Sequence, residues 1–349
     1  MYLNRRYFSK RQGHPMENTD IRSTITARIV DGLKAGKRPW VRPWSSDPNC
    51  GSPQNVISKR PYRGINPLVL SLASEDRQFQ SRWWGTYRQW QSLGGHVQSR
   101  PKDVRPGEWG TTIVFYKPVT KQTVNDDGEP KKQSFRVLKS FTVFNVEQVD
   151  GPFDHLRPST EDDNSTQPDF RQADDAIEAT QAEIRFGGNE AFYKRPVGEW
   201  PHHADGDFIQ SPHRWKFSDL TDFYSTLFHE AVHWSEIRLG WDGSYALGEL
   251  IAEIGSCFLA AECNIPASDD LENHSKYVAS WLKELSNDNN AIFKAAAQAS
   301  QAADFILKFS TQCEETPLPE WVGAHDDARA TMPLVVASGF TLRRPPEWS

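Results

Sequence analysis

Residues 229–233 read His-Glu-Ala-Val-His, inside a run whose apolar members, Tyr224, Leu227, Phe228, Ala231, Val232 and Trp234, recur at helical spacing before Gly240. Such a run predicts a buried helix, and a helix puts positions i and i+4 on one face. His229 and His233 can therefore aim two imidazoles at one point, with Glu230 one step round beside it. This is the donor pattern of a zinc site, in which a third protein group completes the holding set and the fourth position is left to water. Glu230 is the catalytic candidate, a base that takes a proton from the activated water and delivers it to a leaving group.

A second apolar run, Tyr245 to Cys263, carries Glu249 and Glu253, again four apart. Glu249 is the expected third ligand of one Zn2+ per chain, and Glu253 the group that orients a histidine from behind; the reverse assignment is the alternative. An inert core helix is the competing reading of the whole motif. His274 and Tyr277 are candidates for stabilising a transition-state charge, against plain helix packing. The extended piece Phe208–Gln210, preceded by His202 and His203, is expected to edge the cleft and pair with extended substrate.

The length of 349 residues favours two domains, and the charge divides them. The net of −6 hides 25 Lys and Arg against 13 Asp and Glu in residues 1–150, a net of +12, and 15 against 33 thereafter, a net of −18. A basic half points to a polyanionic partner. No apolar run reaches the length of a membrane span. The polar, basic N-terminus has no apolar core of a secretory signal. Four cysteines without paired spacing fit a reducing cytoplasm, two of them as core thiols on the Glu-bearing helix.

The fold class expected is α+β in two domains. Residues 1–19 form a disordered basic arm, 20–150 an α+β nucleic-acid-binding module, 151–172 an acidic linker, 173–317 a mainly helical metal-bearing module, and 318–349 a tail of no assigned role. Within them the patterning predicts helices over 20–33, after Asn66, over the aromatic run 81–95, over 173–186, near 274–285 and over 291–309. Strands are expected at 111–117 and 139–146, paired as a hairpin, and at 190–194.

In the basic half, cations alternate with aromatic rings: Lys37, Arg38, Trp40, Arg42 and Trp44; Lys59, Arg60, Tyr62 and Arg63; Arg82, Trp83 and Arg88. Cations face phosphates, and rings stack on unpaired bases that a duplex hides. Single-stranded DNA bound without sequence preference is the expected partner, with an aromatic core and a solvated basic face as the competing reading.

The motifs PW at 39–40 and 43–44, YRGIN at 62–66, the run at 84–89, LGG at 93–95 and VFNVEQ at 143–148 together resemble the N-terminal domain of ArdC-like antirestriction proteins. DFI at 207–209, FHEAVHW, ELIAEIGSCFL and HSKYVASWL resemble the zincin-like metallopeptidase domain that follows it there. The resemblance spans about residues 20 to 309. It implies a protein of conjugative plasmids that binds single-stranded DNA and protects entering DNA from restriction, with a host restriction component as peptidase target. It also implies His229, His233 and Glu249 as ligands and Glu230 as base. A single-strand-coating or replication-accessory protein with a structural or inactive zincin domain is the alternative. Gly248 departs from the pattern, standing where relatives often carry another acid.

Overall fold

The computed structural model describes residues 18–41, 45, 47–124, 130–159, 168–196, 206–266 and 271–314, with backbone alone at 18–20, 118, 121–124, 130–136, 271–276 and 311–314. In α1 (Asn18–Lys34), Ile21, Ile25, Ile29 and Leu33 repeat every four residues and form one buried stripe. Gly36, at φ +77°, ends the helix, and the Lys37 N–H returns to the Gly32 carbonyl at 2.9 Å. The short β1 (Gln54–Asn55) precedes α2 (Asn66–Arg77), which Pro67 opens in its first turn.

The aromatic run 81–95 is not one helix. It divides into β2 (Trp83–Thr86) and α3 (Tyr87–Ser92), because the Thr86 side chain caps the Gln89 N–H and the Gln89 side chain returns to the Thr86 N–H. After β3 (His96–Val97) comes the expected hairpin, β4 (Thr111–Val124) with β5 (Pro130–Asn145). They pair antiparallel from Thr111↔Val143 to Val124↔Pro130, well beyond the predicted bounds. The first sheet runs β1-β2-β5-β4, and β3 pairs separately with β6 (Val149–Asp150).

Two of the sequence motifs prove to be joints. Asn66 of YRGIN accepts from the Val114 N–H and donates to the Val114 carbonyl, both at 2.9 Å, and so splices the start of α2 to β4. In VFNVEQ, Asn145 accepts from the Glu147 N–H, Gln148 accepts from the Asn145 N–H, and Glu147 accepts from the Gln80 and Ser81 N–H groups. These hydrogen bonds close a single 3-10 turn at the end of β5.

The stretch expected as a linker begins packed. Phe153 and Leu156 are buried, and the Phe153 ring meets Trp90 edge-on at 5.1 Å between centroids. The helix expected over 173–186 is α4 (Arg171–Ala179), followed by a strand, β7 (Glu183–Phe186). Gln181 takes the left-handed region at φ +53°, which turns the chain between them. β8 (Phe192–Lys194) and β9 (Phe208–Ser211) complete a sheet of order β7-β9-β8. The predicted edge is thereby corrected: β9 is central, bonded to β7 in parallel and to β8 antiparallel, and β7 and β8 form the two edges, with β8 on the side of the cleft. His202 and His203 lie outside the described residues, as do residues 1–17 of the predicted arm and all of the predicted tail.

Four helices follow: α5 (Leu220–Arg238), α6 (Tyr245–Glu262), α7 (Leu271–Asn287) and α8 (Ala291–Glu314). Asp219 caps the first and Ser244 the second. A Cβ at Gly255 would stand 2.8 Å from Val232, so its absence lets α6 lie close along α5. Among the described residues no helix is long and apolar enough to cross a membrane.

The main buried cluster joins the two halves: Ile29, Leu68, Val114 and Trp40 from the first pack with Phe228, Ile254, Trp281 and Ile292 from the second. Arg63 bridges Glu262 and Asp304 at 2.8 and 2.9 Å, and the Gly64 N–H donates to Ser300 Oγ. Trp40 adds a buried polar link. Its indole Nε1 donates to Glu253 Oε1 at 3.0 Å, where both side chains are buried, and its ring meets Trp281 edge-on. Trp40→Phe keeps the packing and removes the donor. Chemical denaturation should show a loss of about 1–3 kcal/mol, the cost of removing a donor from a buried acceptor. Unchanged stability would mean that this contact does not hold the halves together.

Candidate metal centre

Helix α5 sets His229 and His233 four residues apart, and their Nε2 atoms lie 3.2 Å from each other. From α6, Glu249 places Oε2 3.5 Å from His229 Nε2 and Oε1 3.6 Å from His233 Nε2. Among the described residues these three side chains form the group able to hold one metal ion, with one donor atom from each within 4.8 Å of the others. Around them opens a cleft of about 1230 Å3, walled by Phe192, Tyr193, Arg195, Trp241, Tyr245 and Tyr277.

The surroundings are electrostatically lopsided. Glu230, Glu236, Glu249 and Glu253 are between 4% and 8% exposed, all on α5 and α6. Burial pushes the Glu230 carboxyl above its ordinary value, despite the opposing fields of His229 and His233 and a hydrogen bond from the Tyr193 backbone. At His229, burial opposes the charged imidazolium. The Glu249 hydrogen bond and the charges of Glu230, Glu253 and Glu249 outweigh that and raise its pKa. Burial likewise works against the Glu249 carboxylate, yet the hydrogen bond to His229 and the charges of both histidines hold it low. The raised His229 pKa marks a demand for positive charge at this point. A divalent cation among two imidazoles and a carboxylate fits the same demand.

The carboxylate behind the histidines is Glu236, which the sequence expectation passed over. Glu236 Oε1 lies 2.8 Å from His233 Nδ1, and Oε2 accepts from Arg195 at 2.8 Å. This fixes the imidazole so that Nε2 turns toward the centre. Its signal was present: Glu236 is three residues past His233, on the same helix face. Gly248 explains the fit, since a Cβ there would come within 3.2 Å of Glu236 Oε1. The acid missing at 248 is thus offset by Glu236, supplied from α5. Glu253, expected in that role, instead accepts from Trp40 while contributing its charge to His229.

Tyr277 reaches the cleft mouth, stacked on Trp281 and 3.3 Å from the Tyr245 hydroxyl. Hydrogen bonding to Tyr277, burial and the nearby Glu249 raise the Tyr245 pKa. The sequence expectation did not include Tyr245. The His274 side chain lies outside the described residues. Burial pushes the Cys263 thiol up to about 12 and raises that of Cys257 as well, so neither is a reactive nucleophile.

Several residues expected at a DNA surface are committed elsewhere. Trp40 and Tyr62 are buried, Lys37 pairs with Glu75 and Asp76, and Arg63 with Glu262 and Asp304. Arg82 donates to the Ser52 and Pro48 carbonyls. Arg38 is half-buried. Lys59, Arg60 and Arg88 are exposed, with Lys59 Nζ 4.2 Å above the half-buried Trp83 ring. Arg42 and Trp44 lie outside the described residues.

A three-stranded sheet edged by β8 beside a His-Glu-x-x-His helix and a Glu helix defines a zincin-like domain, joined here to a basic α+β domain. The pattern of the N-terminal domain of anti-restriction factor ArdC matches residues 19–144, and that of a zincin-like metallopeptidase matches residues 171–298. The crystal structure of antirestriction ArdC protein from the R388 plasmid, metal-free, is similar at a TM-score of 0.65 and 33% identity, over 84% of this chain and 98% of that one. Its Mn(II)-bound structure gives 0.61, with 33% identity over 83% and 98%. Protein y4eC of Sinorhizobium fredii is 32% identical over 311 residues, 84% of this chain and 93% of y4eC. A DNA primase TraC of Escherichia coli is 32% identical over 309 residues, but the chain spans 27% of that longer protein. The chain belongs to the ArdC antirestriction family.

Glu236→Ala should weaken metal binding by about 10–100-fold, the usual cost of losing a carboxylate behind a histidine ligand. Calorimetric titration of the metal-free protein with zinc reads this directly. An affinity equal to wild type would remove Glu236 from the site.

Proposed function

We propose that the protein protects an entering mobile element from host restriction, combining single-stranded DNA binding with a zinc-dependent, peptidase-type hydrolytic site. The carrying observation is the convergence of His229 Nε2, His233 Nε2 and the Glu249 carboxylate beside the buried Glu230. The nitrogen and oxygen donors favour zinc among common divalent ions. His229, His233 and Glu249 would hold it, and it would supply Lewis acidity to a water and a carbonyl in the cleft.

Glu230 holds the proton. Burial raises its pKa, which makes the ionised carboxylate a stronger base for accepting from the attacking water, and it then returns the proton to the departing nitrogen. The Tyr193 N–H fixes the orientation of that carboxylate. Strand β8, which among the described residues has no strand partner on the side away from β9, offers main-chain hydrogen bonds to an extended peptide. Tyr277 and Tyr245 stand across the mouth as donors to a developing oxyanion. A host restriction component is the target this reading favours, and the cytoplasm its place of action. The first-half charge of +12 supports a nucleic-acid partner.

The match to DNA primase TraC favours a second reading, a strand-coating or replication-accessory protein whose zincin domain is structural. Conjugative delivery of unmodified DNA into a restricting host separates the two. Glu230→Gln, at equal protein level and metal content, should abolish protection, and any peptide turnover should fall about 10²–10⁴-fold. Full protection by the variant would establish the second reading.

A further inference from the structure

The rings expected to stack on bases are mostly unavailable for it. Trp40, Tyr62, Trp84 and Trp90 are buried, and Trp83 is covered by Lys59 and hydrogen-bonded to Asn49. Among the described residues of the first half, the exposed rings are Tyr87, Phe115, Tyr116 and Phe141, and three of the four stand on the β4–β5 hairpin. Phe115 and Phe141 are 47% and 44% exposed and meet edge-on with centroids 5.7 Å apart.

The hairpin register gives this pair its neighbours. Phe115 is opposite Lys139, Lys117 is opposite Val137, and Phe141 is opposite Ile113. Directly opposed residues, and residues two apart on a strand, share a face. Beyond the buried Ile113, one open face therefore carries two rings and two ammonium groups. Lys117 and Lys139 are exposed, and neither has an acidic partner among the described residues. The sequence toward the tip adds Lys121, Lys131, Lys132 and Arg136.

The opposite face is anchored. Val114 and Leu138 are buried in the main cluster, Asn66 clasps the Val114 backbone, and the Tyr116 hydroxyl accepts from Arg22 at 3.3 Å. The exposed pair thus stands on a fixed support. Two bare aromatic rings on a surface are costly in water and need an apolar or π-faced partner. The flanking lysines specify that the partner is also anionic. Duplex DNA presents phosphates and conceals its base faces, whereas an unpaired strand presents both.

Building on the single-strand reading above, we infer that the outer face of the β4–β5 hairpin, with Phe115, Phe141, Lys117 and Lys139, is the surface on which single-stranded nucleic acid stacks and is neutralised. The partner lies across the rings, with its phosphates toward the lysines.

Fluorescence anisotropy with a labelled oligo-dT of about 20 nucleotides tests this on the full chain. Phe115→Ala/Phe141→Ala should raise Kd about tenfold or more, as lost base stacking does. Phe115→Leu/Phe141→Leu, which keeps apolar bulk and removes the rings, should weaken binding similarly while circular dichroism stays that of wild type. Lys117→Ala/Lys139→Ala should flatten the dependence of log Kd on log salt by about 1.4, or about 0.7 for each lost phosphate contact. If wild type binds and all three variants bind equally well, the hairpin assignment fails while the single-strand reading stands. The hairpin assignment fails in the same way if Arg60→Ala/Arg88→Ala abolishes binding and the hairpin variants do not, or if the ring variants change only the oligomeric state. If wild type itself does not bind, the single-strand reading fails and takes the hairpin assignment with it.

Discussion

Four carboxylates buried along the seam of two helices make a demand that much of this chain is arranged to meet. An unpartnered buried carboxylate costs several kcal/mol, so each needs a donor or a cation. Glu236 takes His233 and Arg195, Glu253 takes Trp40, Glu230 takes the Tyr193 backbone, and Glu249 faces both histidines. These partners come from three places: the α5 helix itself, the strand β8 with the residue just beyond it, and the loop after α1. Any of them displaced takes one partner away from a buried carboxylate. The metal-binding geometry is the remaining centre of negative charge, at the point where α5 and α6 meet the cleft.

Those pairings explain why the basic half and the zincin-like half occur in one chain. The first half does more than hang from a linker. It supplies Trp40 to the helix that carries Glu249, Arg63 to Glu262 and Asp304, and a backbone N–H to Ser300. The YRGIN motif, which resembles part of a nucleic-acid module, is in this structure largely a joint. Its Arg63 and Gly64 reach the second half, and its Asn66 ties α2 to β4. The loop after α1 thus reaches, from more than 200 positions away in sequence, a carboxylate one turn along α6 from Glu249.

The centre itself was legible, because His229, Glu230, His233 and Glu249 lie on two consecutive helices where spacing fixes facing. Glu236 was equally local, a carboxylate one turn along the first helix, but the pair of acids on the second helix offered a more obvious partner. What could not be read were the long-range contacts. Nothing around Trp40 announces that its indole is buried against Glu253, so its basic neighbours made it look like a stacking ring. The strand at Trp83 and Trp84 was hidden by aromatics at helical spacing, and the decisive residue was Thr86, whose cap starts a helix only there. The central position of β9 depended on a parallel partner, β7, in a segment whose pattern suggested helix.

The most direct test is an anomalous difference map at the zinc absorption edge, from crystals of the full chain grown with zinc. A single peak bounded by His229 Nε2, His233 Nε2 and the Glu249 carboxylate is the predicted result. No peak there, or a peak held by other side chains, would contradict the assignment of the centre.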